Sequence, residues 1–260
     1  MSASGPPGRG QTDESASQQR ENAGRRRFAG RTAVVFAIAL VAAALFVLLL
    51  VLVRTSSTAL LRLDRDIALD MNRFSREHST FTWVMHALSN SGKTVVWFLV
   101  MALVAGWLWR RGLPRLALFV AVTVVGSSVL NNLIKLLVDR ARPHLSDPLV
   151  VAPGKSFPSG HAQAAIVGFG VLLAVFLPII PRRWRALAVL VAGLLALLIG
   201  FSRIALGAHY LSDVIGSLLI GTVWLIGMAG AFRTWRREEG KRVGGLREGL
   251  EPEHRDQIAP

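Results

Sequence analysis

The stretch that decides the fold is "WRALAVLVAGLLALLIGFSRIALGAHYLSDVIGSLLIGTVWLIGMAGAF", residues 184–232. Its two apolar runs flank a short polar island, "SRIALGAHYLSD", residues 202–213. Each run is long enough to cross a bilayer as an α-helix, which takes roughly 17–25 residues. The island places an arginine, a histidine and an aspartate where hydrocarbon is expected, and ionisable groups at membrane depth are costly. The stretch therefore predicts two membrane helices joined at a functional site.

The composition of the whole chain extends this prediction. Hydrophobic residues make up 52% of the 260 residues and charged residues only 18%. The apolar residues occur in long blocks, and these blocks predict an all-α, polytopic membrane bundle with six transmembrane helices. The predicted spans are Thr32–Val53, Thr94–Trp109, Leu116–Leu137, Ala162–Ile180, Trp184–Ser202 and Tyr210–Phe232.

The membrane domain, residues 32–232, is flanked by two polar segments. Residues 1–31 are rich in Ser, Gly, Gln and charge, and such a segment cannot bury enough apolar surface to fold. We expect it to be a disordered, basic cytoplasmic tail, and residues 233–260 to be a second, mostly disordered cytoplasmic tail. The first apolar block is longer than the core of a signal peptide, so we expect an uncleaved helix.

The lysines and arginines that flank the spans favour an orientation with both termini in the cytoplasm. The loops at 54–93, 138–161 and 203–209 then lie on the outer side of an inner (plasma) membrane. A net charge of +14 is also typical of proteins that bind nucleic acid. The basic residues of this chain, however, lack the interleaved aromatics of a stacking platform. We expect membrane lipids with anionic headgroups as partners, and no nucleic acid.

An outer segment, residues 60–74, has the pattern of an amphipathic helix. Leu63, Ile67, Met71 and Phe74 form an apolar stripe at helical spacing. The segment either lies flat at the outer interface or packs on the bundle as a lid.

The opening island contains the most specific pair of polar residues. His209 and Asp213 are four residues apart, so on a helix the carboxylate can accept the imidazole Nδ1 proton and leave Nε2 as a free lone pair. Arg203 is separated from them by a glycine-containing turn and can converge on the same point. The alternative is a polar helix pair that braces two span ends.

A second island, "KLLVDRARP", residues 135–143, carries two cations that point one way. Lys135 and Arg142 are two helical turns apart, and they favour an anion as ligand. Alternatively Asp139 neutralises Lys135, which is then a snorkelling anchor. Asn131, one turn earlier, orients Lys135 or bridges helices.

A third island, "FPSGHAQAA", residues 157–165, has the signature of a helix start. Ser159 is a candidate cap and Gly160 allows a close backbone approach. Amides at a helix N-terminus bind phosphate readily, and His161 in the first turn would lie beside it. A plain capped helix is the alternative.

Together the three islands supply donors for an anion, one oriented base or nucleophile and a second histidine. This set suits phosphoryl transfer through a covalent phosphohistidine, with His209 as nucleophile, Asp213 stabilising the imidazolium and His161 protonating the leaving group. That mechanism needs no metal and no cofactor.

The islands, in this order and spacing, resemble the three-part signature of the phosphatidic acid phosphatase type 2 superfamily, over roughly residues 90–230. The resemblance implies a helical core around the phosphate and metal-independent hydrolysis of phosphate esters. It implies the catalytic residues His209, His161 and Asp213, and the phosphate-binding residues Lys135, Arg142, Ser159, Gly160 and Arg203. The superfamily also contains soluble acid phosphatases, vanadium haloperoxidases and lipid phosphotransferases, and six spans argue against the soluble members.

The leading hypothesis is therefore a membrane lipid phosphatase acting on the outer face. Its substrate would be phosphatidate, phosphatidylglycerophosphate or a polyprenyl pyrophosphate. One alternative is a lipid phosphotransferase that uses a polyprenyl pyrophosphate donor. Another is an anion transporter, but a transporter would spread its charges along several spans, whereas here they cluster at one end.

Overall fold

A computed structural model describes residues 33–145 and 147–238. The described part of the chain is all-α, as predicted. Its helices are α1 Ala33–Arg54, α2 Thr58–Glu77, α3 Ser79–Ser91, α4 Thr94–Arg110, α5 Pro114–Val138, α6 Gly160–Phe176, α7 Arg182–Ala205 and α8 Leu211–Glu238. The tail predicted at 1–31 and most of the tail predicted at 233–260 lie outside the described residues.

Each predicted span coincides with a helix, although the helices differ in length. By length and composition four can cross a membrane: α1, α5, α7 and the Leu211–Phe232 part of α8. The pair α3 and α4, bent by 46°, can be counted as a fifth span, and α6 is a shorter apolar helix of 17 residues. The chain is therefore a multi-pass membrane protein, and the number six stays a prediction. Helix α8 continues beyond Phe232, the predicted end of the last span.

Helix α6 lies at the centre of the bundle, where it packs against α4, α5, α7 and α8. The main apolar core forms around it, with Phe119 and Val120 of α5 and Val171 and Val175 of α6 almost fully buried. Helix α1 buries only 11% of its apolar window. The rest of that helix presents its side chains to the surroundings, as a membrane helix does to lipid.

Glycines allow the helices to approach closely at this centre. A Cβ on Gly168 of α6 would lie 2.0 Å from Cε3 of Trp97, and one on Gly126 of α5 would lie 2.5 Å from Cζ2 of Trp224. Small residues at helix contacts are typical of membrane bundles, because they bring backbones together. The indole rings fill the space that these glycines leave.

The helix ends gather the three polar islands at one end of the bundle. Helix α5 ends at Val138, and Asp139 follows in the left-handed conformation with φ 54°. Consecutive spans run in opposite directions, so the end of α5, the start of α6, the end of α7 and the start of α8 share this end.

Helix α2 spans the predicted amphipathic segment 60–74, and two of the four residues of its apolar stripe pack on the bundle. Ile67 and Met71 pack on the bundle, whereas Leu63 and Phe74 are 52% and 41% exposed. Asp64 is also buried. Hydropathy alone could not predict its burial, because it does not show that a carboxylate has a cationic partner elsewhere in the chain. The helix packs on α3, α7 and α8, which favours the lid alternative.

The packing of α4 on α6 yields a prediction about stability. Gly168→Ala should lower the melting temperature of the detergent-solubilised protein, because overpacking of this kind costs about 1–3 kcal/mol. Gly193→Ala in α7 is the matched control, since a Cβ there meets no atom within 4 Å. Equal melting temperatures of the two variants would contradict the tight contact at Gly168.

Candidate active site

His209 and Asp213 lie where the turn after α7 enters α8. His209 is 2% exposed, and its Nδ1 lies 3.4 Å from Oδ2 of Asp213 and 3.5 Å from Oγ of Ser156. Ser156 donates its hydroxyl to the same carboxylate oxygen, and the backbone N–H of Tyr210 donates to it at 2.9 Å. The carboxylate is thus fixed beside the imidazole, as its spacing predicts.

The other imidazole nitrogen faces a cation. Nη1 of Arg142 lies 3.2 Å from Nε2 of His209. Burial lowers the pKa of His209 to about 4, with Arg142 and Lys135 acting in the same direction and Asp213 opposing them. The imidazole is therefore neutral at pH 7. With Nδ1 protonated toward Asp213, the lone pair of Nε2 points to the basic side of the site.

Lys135 and Arg142 converge although α5 ends between them. Lys135 Nζ donates to the carbonyl of Lys155 at 2.9 Å, and Arg142 donates to the carbonyls of Gly154 and Pro153, both at 3.0 Å. The expected alternative partner, Asp139, pairs with Lys155 instead. The alternative in which Asp139 neutralises Lys135 is therefore wrong. Asp139 has a left-handed backbone conformation directly after α5, and this conformation turns its carboxylate away from Lys135.

Among the residues that the structure describes, Arg142 makes no direct contact with a carboxylate. Besides the two loop carbonyls, it donates to the carbonyl of Ala208 at 2.7 Å. These acceptors are all neutral, so the guanidinium is positioned without being balanced. Burial lowers the pKa of Arg142, and the nearby carboxylate of Asp213 opposes that shift.

The third island forms the predicted helix start. Ser159 is the N-cap of α6, and its Oγ accepts from the N–H of Ala162 at 3.5 Å. One detail differs from the prediction: the Ser159 N–H donates to the backbone carbonyl of Asp213 at 3.2 Å, so this amide is already occupied. Gly160 follows as the first residue of the helix. His161, in its first turn, interacts electrostatically with Arg203, His209 and Arg142.

Arg203 brings a further cation into the same site from the last turn of α7. It is 5% exposed and donates to the hydroxyl of Ser89 on α3. Within the described part of the chain, its Nε has no hydrogen-bond partner. A buried guanidinium without a carboxylate partner is costly, and this cost favours binding of an anion.

All eight predicted site residues thus lie at one end of the bundle. The structure adds three that the sequence interpretation missed: Asp64 of α2, and Arg140 and Ser156 of the loop between α5 and α6. Arg140 lies inside the second island, so its charge was a usable signal. Asp64 contacts it across 76 positions of sequence, a distance that no local pattern bridges.

The contacts of Asn131 decide between its two predicted roles, which are orienting Lys135 and bridging two helices. Its Nδ2 donates to Oε1 of Gln163 at 2.7 Å, and Gln163 donates to Ser127 of α5. The residue therefore bridges α5 and α6. Beside this bridge, a cavity of about 290 Å³ lies between α4, α5 and α6, with Lys135 and Gly160 in its wall and Trp97, Phe98 and Val167 as apolar lining.

Comparisons with known proteins identify a similar family and several similar chains. Residues 116–237 match the model of the PAP2 superfamily. The chain is 35% identical over 96 residues to phosphatidylglycerophosphatase B of Bacillus subtilis (strain 168), a match that covers 36% of this chain and 46% of the relative. It is 28% identical over 188 residues to lipid A 1-diphosphate synthase of Escherichia coli (strain K12), which covers 64% of this chain and 76% of the relative.

A solved structure has the same fold. The crystal structure of a transmembrane PAP2 type phosphatidylglycerolphosphate phosphatase from Bacillus subtilis superposes with a TM-score of 0.67 at 24% identity, covering 78% of this chain and 98% of that chain. The chain spans less than half of the length of the first curated relatives that it matches. The matched residues 116–237 contain all three polar islands, and over this stretch the chain is similar to the PAP2 superfamily.

Proposed function

We propose that this chain is a metal-independent membrane phosphatase that hydrolyses phosphomonoester or pyrophosphate lipids. The observation that carries the proposal is the position of the His209 imidazole, with Nδ1 3.4 Å from Oδ2 of Asp213 and Nε2 3.2 Å from Nη1 of Arg142. A nucleophile held beside a cation cluster suits attack on a phosphate. The superfamily match and the names of the relatives support the same reaction class.

The residues support a two-step transfer. Nε2 of His209 attacks phosphorus, the bond to the leaving oxygen breaks, and His161 gives that oxygen a proton. Asp213 stabilises the imidazolium of the phosphohistidine. A water molecule, losing its proton to His161, then attacks phosphorus, the P–N bond breaks and inorganic phosphate leaves.

Phosphate oxygens would be held by cations and by the start of α6. Lys135, Arg142 and Arg203 supply the charge, and the Ser159 hydroxyl and the Gly160 amide supply further donors. In this role Arg142 would exchange a contact with Nε2 for contacts with phosphate oxygens. Its neutral partners make that exchange inexpensive compared with breaking an ion pair.

A lipid substrate is supported by the cavity between α4, α5 and α6. Its wall includes Lys135 and Gly160 at the phosphate site and apolar side chains of α4 and α6 farther along. A headgroup phosphate can therefore occupy the site while the hydrocarbon of the same molecule stays in lipid.

The substrate class is tested with purified protein in detergent. Phosphatidate, phosphatidylglycerophosphate and a polyprenyl pyrophosphate are assayed for phosphate release, with and without chelator. We expect release from at least one lipid and equal rates with chelator. Loss of activity with chelator, or activity on water-soluble esters alone, would contradict the proposal.

The roles of the histidines are tested by substitution. His209→Gln and His161→Gln should each lower kcat by roughly 10²–10⁴-fold, the usual contribution of such groups. His144→Gln is the matched control, because His144 is an exposed histidine of the same loop region. A base-stable phosphoenzyme should form from ³²P-labelled lipid in the parent protein and be absent in His209→Gln. Equal phosphate release by His209→Gln and the parent would contradict the assignment of His209 as the nucleophile.

A second candidate function is transfer to a lipid acceptor. The match to lipid A 1-diphosphate synthase, which covers 76% of that relative, favours it. In this case an acceptor lipid, added to the polyprenyl pyrophosphate assay, accelerates donor turnover and becomes phosphorylated. Turnover that is independent of acceptor supports the hydrolase.

For location, we propose an inner (plasma) membrane with cytoplasmic termini and the site on the outer face. The chain has no cysteine, so single-cysteine reporters are unambiguous. Val151→Cys, in the loop at the site, should react with a membrane-impermeant maleimide added to spheroplasts. Arg183→Cys, at the opposite end of α7, should react only after permeabilisation. The reverse pattern would place the site in the cytoplasm.

A further inference from the structure

Arg140 bridges two buried carboxylates beside the proposed nucleophile. Its Nη1 lies 2.8 Å from Oδ1 of Asp213 and its Nη2 lies 2.7 Å from Oδ2 of Asp64, with side chains that are 9%, 0% and 1% exposed. Nη1 also donates to the hydroxyl of Ser212 at 2.6 Å, and the guanidinium stacks 4.4 Å from the ring centroid of Tyr210. The cation is thus held on every side by protein groups.

Asp64 ties helix α2 to the first turn of α8. Its Oδ1 accepts the backbone N–H of Ser212 at 3.0 Å, and its Oδ2 accepts the Ser212 hydroxyl. A carboxylate at this position caps a helix start supplied by another part of the chain. Ser212 directly precedes Asp213, so a residue of α2 fixes the backbone that carries the catalytic carboxylate.

Arg140 and Arg142 are two residues apart but differ in electrostatic state. Arg142 donates to backbone carbonyls and to a neutral imidazole, so its charge is available to an anion. Arg140 is shared by two carboxylates, so its charge is already compensated. A phosphate would have to compete with both carboxylates for it.

From this contrast we propose that Arg140 and Asp64 are positioning residues, which act on the reaction by holding Asp213 against Nδ1 of His209. Helix α2 is then a structural part of the active site through Asp64. The inference rests on the proposed function for its kinetic readout. It concerns the orientation of Asp213 and assigns neither residue to the substrate.

The charge balance around Asp213 gives the inference a specific signature. The charged or titratable groups near it are His209, Tyr210, Arg140, Arg142 and Lys135, with Asp64 across the Arg140 bridge. Removing Arg140 alone leaves the carboxylates of Asp213 and Asp64 without the cation between them. Because two like charges repel each other in a low-dielectric site, protonation of one of the carboxylates becomes more favourable. Removing Asp64 as well returns the site to its original net charge.

The test compares Arg140→Gln, Asp64→Asn and the double variant in the lipid phosphate assay. Arg140→Gln should lower kcat by about 100-fold, at the low end of acid–base contributions, with KM nearly unchanged. The acid limb of its pH profile should move to higher pH, since activity needs both Asp213 and His209 deprotonated. In the double variant the limb should return toward that of the parent. Arg76→Gln, which removes an exposed ion pair of α2 with Asp147, is the control and should leave kcat unchanged.

Inhibition by inorganic phosphate separates positioning from phosphate binding. Arg142→Gln should weaken phosphate inhibition, whereas Arg140→Gln should leave its inhibition constant within about twofold. A large loss of phosphate inhibition in Arg140→Gln would overturn the inference. An acid limb of the pH profile that stays shifted in the double variant would overturn it as well. If Arg140→Gln does not fold, the inference is tested with Asp64→Asn alone. This variant should lower kcat and leave KM unchanged. A kcat equal to that of the parent would overturn the inference.

A spectroscopic readout keeps the test independent of the proposed function. In protein labelled with ¹⁵N-histidine, the His209 signals are assigned by their loss in His209→Gln. Arg140→Gln should shift the Nδ1 signal of His209, and Arg76→Gln should leave it in place. If no lipid is hydrolysed by the parent, the proposed function fails, but this shift still tests the positioning role; an unmoved signal would refute it.

Discussion

The carboxylate of Asp213 is the group on which the arrangement of the site depends. It is completely buried, and burying a charge is costly unless partners surround it. Those partners come from several segments: Arg140 and Ser156 from the loop after α5, and His209 and the Tyr210 N–H from the turn after α7. Its own backbone carbonyl accepts the N–H of Ser159 at the start of α6. One buried residue therefore links the segments that carry all three polar islands.

The cations at the site divide by the partners they have. Arg140 is balanced by carboxylates, and Lys135 and Arg142 are held by backbone carbonyls of residues 153–155. Carbonyls orient a cation and leave its charge intact, whereas carboxylates compensate it. The same loop thus contains an arginine paired with carboxylates and an arginine held by backbone carbonyls, separated by one alanine. Net charge alone would not distinguish them.

The membrane environment explains how such a site is built on an apolar bundle. Helix α6 packs against four neighbours through small residues, and this rigid centre ends in the capped start at Ser159 and Gly160. Side chains that face lipid need only be apolar, so α1 packs loosely while the polar groups are concentrated where helix ends meet. Side chains carried on packed helices are held at more definite distances than side chains on loops.

Local sequence determined the positions of the helices and most of the residues of the candidate site. The long apolar blocks predicted the helices at all six positions, because crossing hydrocarbon requires runs of apolar residues with internally satisfied backbones. The spacing of His209 and Asp213, the capping signal at Ser159, and the order of the three islands predicted the candidate site, since each is a short-range pattern. The family resemblance then assigned roles to the same residues.

Only the tertiary structure decided which charges meet. Asp64 has no partner that the local sequence pattern indicates, yet it is buried against Arg140 and the start of α8. Asp139, four residues from Lys135, pairs with Lys155 instead. Pairing of charges depends on distances set by helix packing and by the path of the loop between α5 and α6. A linear pattern records neither, because burial and electrostatic compensation are properties of groups brought together from distant parts of the chain.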